Sequence, residues 1–277
     1  MRSVHCIRSL LEDGVDQVMV WDNSADGGRS AANIVDTFKT ERRVRVIIHD
    51  TNIGFAAGVN RGLERCMDVS QGARVLLINN DAVLLPGASK KLLNALDTCA
   101  SAWISFPNIQ QPDGVTGPVY YNRLTGWLSQ ISTPTSFVHA SGCCLMIATD
   151  RISTPLFDED FFMYGEDAAL GWRLRRSPHS MAHVDEVLVV HEGSASSGLR
   201  TPFYEMRMVA AHLILVRKLA HNSADAILLY LLRIPTLLTR ATIRSLRFHS
   251  WTPWVALWKG LQAAYEERSR RRQVGGN

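Results

Sequence analysis

Residues 74–81 read Arg74-Val75-Leu76-Leu77-Ile78-Asn79-Asn80-Asp81, an apolar run of the buried-strand type that ends in a carboxylate. Open α/β sheets bind ligands outside the carboxyl ends of their strands, so an acid placed there marks a rim where chemistry can occur. Two earlier stretches end alike: Gln17 to Asp22 (Gln-Val-Met-Val-Trp-Asp) and Val44 to Asp50 (Val-Arg-Val-Ile-Ile-His-Asp). The terminal aspartates recur about every 30 residues, the length of a βαβ unit. Parallel strands need crossovers, and two helices are predicted between them. One covers Ser30 to Lys39, after a Gly-rich turn; the other covers Ala56 to Met67, after Asn52-Ile53-Gly54-Phe55. If the three strands share one sheet, Asp22, Asp50 or its neighbour Asn52, and Asp81 line one polar edge suited to a metal.

A second constellation follows. Residues 157–167 read Phe-Asp-Glu-Asp-Phe-Phe-Met-Tyr-Gly-Glu-Asp, and Ala168 to Arg176 has helical character. Glu166 and Asp167 then fall at a helix start, where the macrodipole favours negative charge; Asp167 is either a simple cap or a reactive acid. Further on, the apolar strand Glu186 to Val190 ends in His191-Glu192-Gly193-Ser194. Asp81 and His191 can supply one oxygen and one nitrogen to a divalent ion, with a substrate diphosphate and water completing an octahedron. A carboxylate such as Asp167 then stays available as a general base.

At 277 residues the chain can bury a substantial core, and 46% apolar with 20% charged residues is ordinary for a folded protein. The net charge of +4 hides an asymmetry: residues 1–199 carry 17 basic against 22 acidic side chains, residues 200–277 carry 13 against 4. Five cysteines, with a vicinal pair Cys143-Cys144 and no Cys-x-x-Cys spacing, argue against a disulfide framework or zinc site and for a reducing cytoplasm. The first residues carry no apolar stretch of the secretory kind.

From Phe203 the pattern becomes helical. Arg233 and Pro235 interrupt the longest apolar run, which stays short of the roughly 20 residues needed to span a bilayer. Trp251, Trp254 and Trp258 accompany Arg240, Arg244, Arg247 and Lys259, and the chain finishes in Arg268 and Arg270 to Arg272. Two readings stand: the arginines are a solvated face of helices packed on the main domain, or the tail docks on an anionic membrane surface. No recognition motif supports nucleic acid. The expected organisation is a main domain over 1–200 and a basic amphipathic helical extension over 201–277.

Together the blocks resemble the inverting GT-A glycosyltransferases of family 2, especially their rhamnosyltransferase-like branch. Asp22-Asn23-Ser24-Ala25-Asp26-Gly27 is similar to that family's Asp-Asn-x-Ser-x-Asp-Gly turn. Asn52 to Gly62 is similar to its Asn-x-Gly-Phe-Ala-x-Gly-x-Asn-x-Gly segment, and Asn79-Asn80-Asp81 to its Asn-Pro-Asp metal motif. Gly142 to Met146, Phe157 to Asp167 and His191 to Ser196 follow in order. The resemblance implies a mixed-sheet GT-A fold flanked by helices. It also implies that a sugar, a deoxyhexose such as rhamnose favoured, moves from a nucleotide-sugar donor to a saccharide or lipid-linked acceptor in cell-surface polysaccharide synthesis.

By the same resemblance Asp22, Asn52 and Asn60 face the nucleotide, and Asn79 and Asp81 hold diphosphate and metal. His191 is a late ligand of Mg²⁺ or Mn²⁺, and Asp167 is the catalytic base supported by Glu166. The implied location is the cytoplasm, peripheral on the inner face of the plasma membrane.

The family opens with a strand before the helix that Val4 to Leu11 resembles, so the expectation is a GT-A sheet lacking its first strand, through a misassigned start or in an inactive protein. Asn80 stands where proline is usual, and Ala168-Ala169 where an apolar-acidic pair is. Two other readings compete. A nucleotidyltransferase wants a glycine-rich loop with a basic residue near the first strand, and none is present. A degenerate, non-catalytic paralogue is favoured by the late start and disfavoured by intact Asp81, Asp167 and His191. Gly54, Gly58 and Gly62 make a poor dinucleotide fingerprint, since no Gly-x-Gly occurs.

Overall fold

The computed structural model describes residues 2–69, 72–152, 155–192 and 201–274. In chain order the elements begin α1 (Arg2–Glu12), β1 (Val18–Asp22), α2 (Arg29–Thr37), β2 (Val44–Ile48), α3 (Phe55–Val69), β3 (Arg74–Ile78), β4 (Ala82–Leu84) and α4 (Ala88–Thr98). Six strands follow: β5 (Ile104–Gln111), β6 (Gly114–Thr116), β7 (Val119–Asn122), β8 (Leu128–Ser129), β9 (Ser136–His139) and β10 (Cys144–Ala148). The chain closes with α5 (Glu166–Leu174), β11 (Met181–His191), α6 (Pro202–Leu219), α7 (Ser223–Phe248) and α8 (Thr252–Val274). The expected helices are thus α2, α3 and α5. The Gly193 to Ser196 part of the last motif and the 200/201 boundary lie outside the described residues.

Two compact units emerge. The first comprises Met1–Pro118, Ala140–Phe157 and Leu174–Gly193; the second comprises Val119–His139, Asp158–Arg173 and Ser194–Asn277.

In the first unit, five strands run β3-β10-β5-β11-β4, with β6 on β5. Only β5 and β11 pair in parallel, so the sheet is mixed. All five residues of β10 are buried. Cys144, Met146 and Ala148 join the core with α1 and α4, while Leu145 and Ile147, on the opposite face by strand alternation, are buried as well. Covered on both faces, such a strand reads as an unbroken apolar run.

The helix α1 forms because Val4, Ile7 and Leu10 recur at three-residue spacing and bury one stripe. Ser9 Oγ fixes it to the sheet by accepting from Leu84 N at 3.0 Å. Asp13, just past its end, accepts from Gly87 N and Ser89 N at the start of α4, where four backbone donors lack helical partners.

One expectation needs correction. The three acid-ended strands do not share one hydrogen-bonded sheet: β1 and β2 pair in parallel as a separate two-stranded sheet, and β3 pairs with β10. Among the described residues no strand bridges β1 and β3. What joins them is the apolar core, in which Val18 and Val20 pack with Leu76, Ile78 and residues Cys6 and Leu10 of α1.

The second unit holds the antiparallel sheet β8-β7-β9 and three long helices. Tyr121 and Phe137 of the sheet share a core with Phe161 and with Ile214, Leu215 and Leu229 of α6 and α7. Thr201 caps α6, accepting from Tyr204 N at 3.2 Å with Pro202 in the first turn; Asn222 caps α7 by accepting from Asp225 N at 2.9 Å. Pro235 lacks the N–H that would bond the Leu231 carbonyl, yet the run it was expected to interrupt folds as one 26-residue helix. Among the described helices α7 alone is long and apolar enough to cross a membrane.

Candidate active site

With β3 ending at Ile78 and β4 beginning at Ala82, Asn79, Asn80 and Asp81 form the turn between them. Ala82 N donates to Asn79 O at 3.0 Å and Asn79 N donates to Cys143 O at 2.9 Å, so the backbone on either side is fixed. Asn80, exposed, donates to Ser3 Oγ at 3.1 Å. Asn79 is half-buried, and Asp81 is turned inward at 7% exposure. The register of β11 on β4 pairs His191 with Ala82, the neighbour of Asp81. His191 Nε2 consequently lies 3.0 Å from Asp81 Oδ1, while its Nδ1 is buried with no hydrogen-bond partner.

Cys6 and Cys143 sit beside this pair. Burial, reinforced by the charge of Asp81, pushes both thiols up to about 12, so neither offers a thiolate at neutral pH. Among the described residues no group of three or more His, Cys, Asp or Glu side chains is placed to hold a metal ion. Asp81 and His191 are two adjacent candidate donors, one carboxylate and one imidazole. That donor set fits a divalent ion which draws its remaining ligands from a diphosphate and water.

The loops after β1 and β2 form a second cluster. Asp22 closes β1 and accepts from Ser24 N at 3.0 Å; its other oxygen, Oδ2, is buried with no hydrogen-bond partner, the sort of acceptor that a ligand hydroxyl satisfies. Asn52 is exposed and its Oδ1 accepts from Gly54 N at 3.0 Å. Asn23, absent from the expected site, joins the two loops: its amide donates to Gly54 O at 2.8 Å and to Asn52 Oδ1 at 3.3 Å, and its carbonyl accepts from Ile53 N at 3.1 Å. An Asn after a strand-ending Asp is a loop-closing type, and Asn23 also falls within the Asp22 to Gly27 turn quoted from the sequence.

Asn60 is not at this rim. It is 2% exposed, and its amide bonds the Phe157 backbone on both sides, Nδ2 to O at 2.9 Å and Oδ1 from N at 3.0 Å. It presents no surface to a ligand and instead pins the start of the 157–167 segment. A cavity of about 400 Å³ lies elsewhere, mid-strand on β1 and β2, lined by Met19, Arg45, Ile47, Arg65 and Asp68.

In the second unit the expected base stands at the start of α5. Tyr164 takes φ 69° and Gly165 φ 89° just before Glu166; a left-handed residue with a Cβ is a strained turn of the kind that clusters at functional sites. Asp167 keeps 26% of its side chain exposed, and His139 Nδ1, in a side chain only 6% exposed, lies 3.8 Å from Asp167 Oδ2. The cause is one turn away. Gly171 shares a helix face with Asp167, and a Cβ there would overlap His139 and the Val138 carbonyl. The absent side chain lets α5 lie directly on β9. Glu166 is the opposite case: 6% exposed, with Oε2 unbonded, it is raised to about 8 by burial and then by the charge of Asp167.

Comparison with solved structures defines the fold. The chain superposes on GalNAc-T7, crystallised with UDP, GalNAc and Mn²⁺, with TM-score 0.57 and 10% identity over 76% of this chain and 44% of that one, so it spans less than half of that structure. It superposes on residues 1–349 of S. aureus TarS with TM-score 0.56 and 12% identity over 95% of this chain and 77% of that one. The fold is GT-A, that of nucleotide-sugar-dependent glycosyltransferases.

The sequence description "Glycosyl transferase family 2" matches residues 4–150, just over half of the chain, and the protein belongs to that family. It is 25% identical over 233 residues to an N-acetylglucosaminyl-diphospho-decaprenol L-rhamnosyltransferase of Mycobacterium tuberculosis, covering 69% of this chain and 71% of the relative, in two strains alike. The family-2, rhamnosyltransferase-like resemblance read from the motifs stands, and the protein is a glycosyltransferase.

Proposed function

We propose that the protein transfers a deoxyhexose, rhamnose before the hexoses, from a nucleoside-diphosphate donor to a hydroxyl of a lipid-linked saccharide, with inversion, in cell-surface polysaccharide synthesis. The observation that carries the reading is the 3.0 Å pairing of Asp81 with His191 at the β3–β4 turn. The mycobacterial relative's name supports the sugar and the lipid-linked acceptor.

In this reading Asp81 and His191 hold Mg²⁺ or Mn²⁺ with the donor diphosphate, and Asn79 lies beside them. A divalent ion there offsets the charge that develops on the departing nucleotide. Asp22, with its unsatisfied Oδ2, and Asn52 bind base or ribose. Inversion requires a base on the sugar face opposite the diphosphate, and Asp167 takes the acceptor's proton; such a base contributes roughly 10²–10⁴-fold. Glu166, protonated near neutrality, supports it without adding a second charge. Transfer from dTDP-L-rhamnose, compared with UDP-hexoses with and without EDTA, tests the assignment. Equal transfer from every donor, or activity indifferent to EDTA, contradicts it.

A further inference from the structure

The sequence left the basic tail with two readings; the side-chain directions in α7 and α8 choose between them. On α7, Ile227, Leu231, Ile234 and Leu238 recur at i, i+4, i+7 and i+11 and all are exposed, Leu231 by 60%. That spacing is one stripe of a helix. On α8, Val255, Trp258, Leu261 and Tyr265 are exposed along a comparable stripe, and Trp251, between the helices, is 79% exposed. An uncovered apolar surface of this extent marks an interaction site.

Three of the four arginines of α7 are turned the other way. Arg233, which interrupts the apolar run in sequence, is fully buried, donating to Tyr121 Oη at 2.9 Å and Arg123 O at 3.3 Å. Arg240 and Arg244 are held by buried Glu205 at 2.7 and 2.5 Å. From Ile227 to Leu238 the outward face therefore carries no charge. Beyond Leu238 come exposed Arg247 on α7 and exposed Lys259 on α8, and the sequence continues into Arg268 and Arg270 to Arg272. From residue 200 onward the sequence holds 13 basic and four acidic residues: Glu205 is buried, Asp225 pairs with Arg123, Glu267 pairs with Arg207, and Glu266 is exposed.

We propose that the exposed apolar stripes of α7 and α8 dock on an anionic lipid bilayer, with the basic residues beyond them meeting the headgroups. Apolar residues on one side and basic residues at the edge are what an interfacial helix needs. A spanning helix has no use for a buried arginine bonded to its own unit. The proposal deepens the membrane-side reading above and stands without the donor assignment.

The full-length protein is floated with phosphatidylcholine vesicles and with vesicles containing phosphatidylglycerol, at low and high salt, beside Leu231→Glu and Leu238→Glu. Thermal unfolding confirms that both variants fold, since the altered residues are exposed. The proposal expects flotation with anionic vesicles, weakened by salt, release by alkaline carbonate, and a blue shift of tryptophan emission. Each variant should lose about tenfold or more in partition, because burying one leucine is worth at least that factor. Unchanged transfer to a soluble acceptor in these variants separates docking from catalysis. Absence of flotation at low salt overturns the proposal, as does variant binding equal to wild type or resistance to carbonate, which indicates a span. A dimer that both variants dissociate also overturns it, because the face then belongs to a second copy.

Discussion

His191 Nε2 lies 3.0 Å from Asp81 Oδ1, joining residues 110 positions apart. The contact follows from strand register alone: β4 starts one residue after Asp81 and its first residue pairs with the last residue of β11. On the proposed assignment, removing either partner should weaken metal-dependent donor binding by more than about tenfold, because the ion would lose one of the two protein donors proposed for it. Donor titration with Mn²⁺ against Asp81→Ala and His191→Ala checks this.

Asp167→Asn should keep donor affinity and lower transfer by roughly 10²–10⁴-fold, the range for loss of a general base. Near-normal turnover in that variant removes Asp167 from the role.

On the proposed assignment of Asp167 as base, His139, whose Nδ1 lies 3.8 Å from Asp167 Oδ2, positions it. His139→Ala should lower kcat by about tenfold, move the pH profile of transfer and leave donor affinity unchanged. A lesion that is purely structural would instead lower thermal stability without moving that profile. Gly171→Ala, which forces α5 off β9, should destabilise by about 1–3 kcal/mol, the usual cost of overpacking, as read from denaturant titration.

Glu166 sets a stability trend with pH. Its folded value near 8 lies above the ordinary 4.5, so between these values the folded chain binds more protons than the unfolded one. The contribution is full below about 4.5, declines as pH rises and is gone above about 8. Glu166→Gln, neutral at every pH, should flatten that decline, as unfolding midpoints measured from pH 5 to 9 will show.

What the sequence disclosed was local. Apolar runs ending in Asp22 and Asp81, the helix start at Glu166 and the strand end at His191 depend on neighbours in the chain and fold as read, although β11 begins at Met181 rather than Glu186. Features that depend on pairing between distant segments were not legible: the separation of β1 and β2 from β3, the approach of His139 to Asp167, and the burial of Arg233. Asn60 shows the limit of motif matching. The pattern supplies its type and position, while burial against the Phe157 backbone decides its job. Composition placed charge on the tail, but only side-chain direction separates an apolar outer stripe from its buried cations.

The most direct test is calorimetry of dTDP-L-rhamnose with Mn²⁺ on wild type, Asp81→Ala, His191→Ala and Asp167→Asn, followed by transfer assays on the same proteins. The account predicts donor binding in wild type and Asp167→Asn, binding lost in the other two, and transfer in wild type alone. Wild-type donor affinity in Asp81→Ala would contradict it.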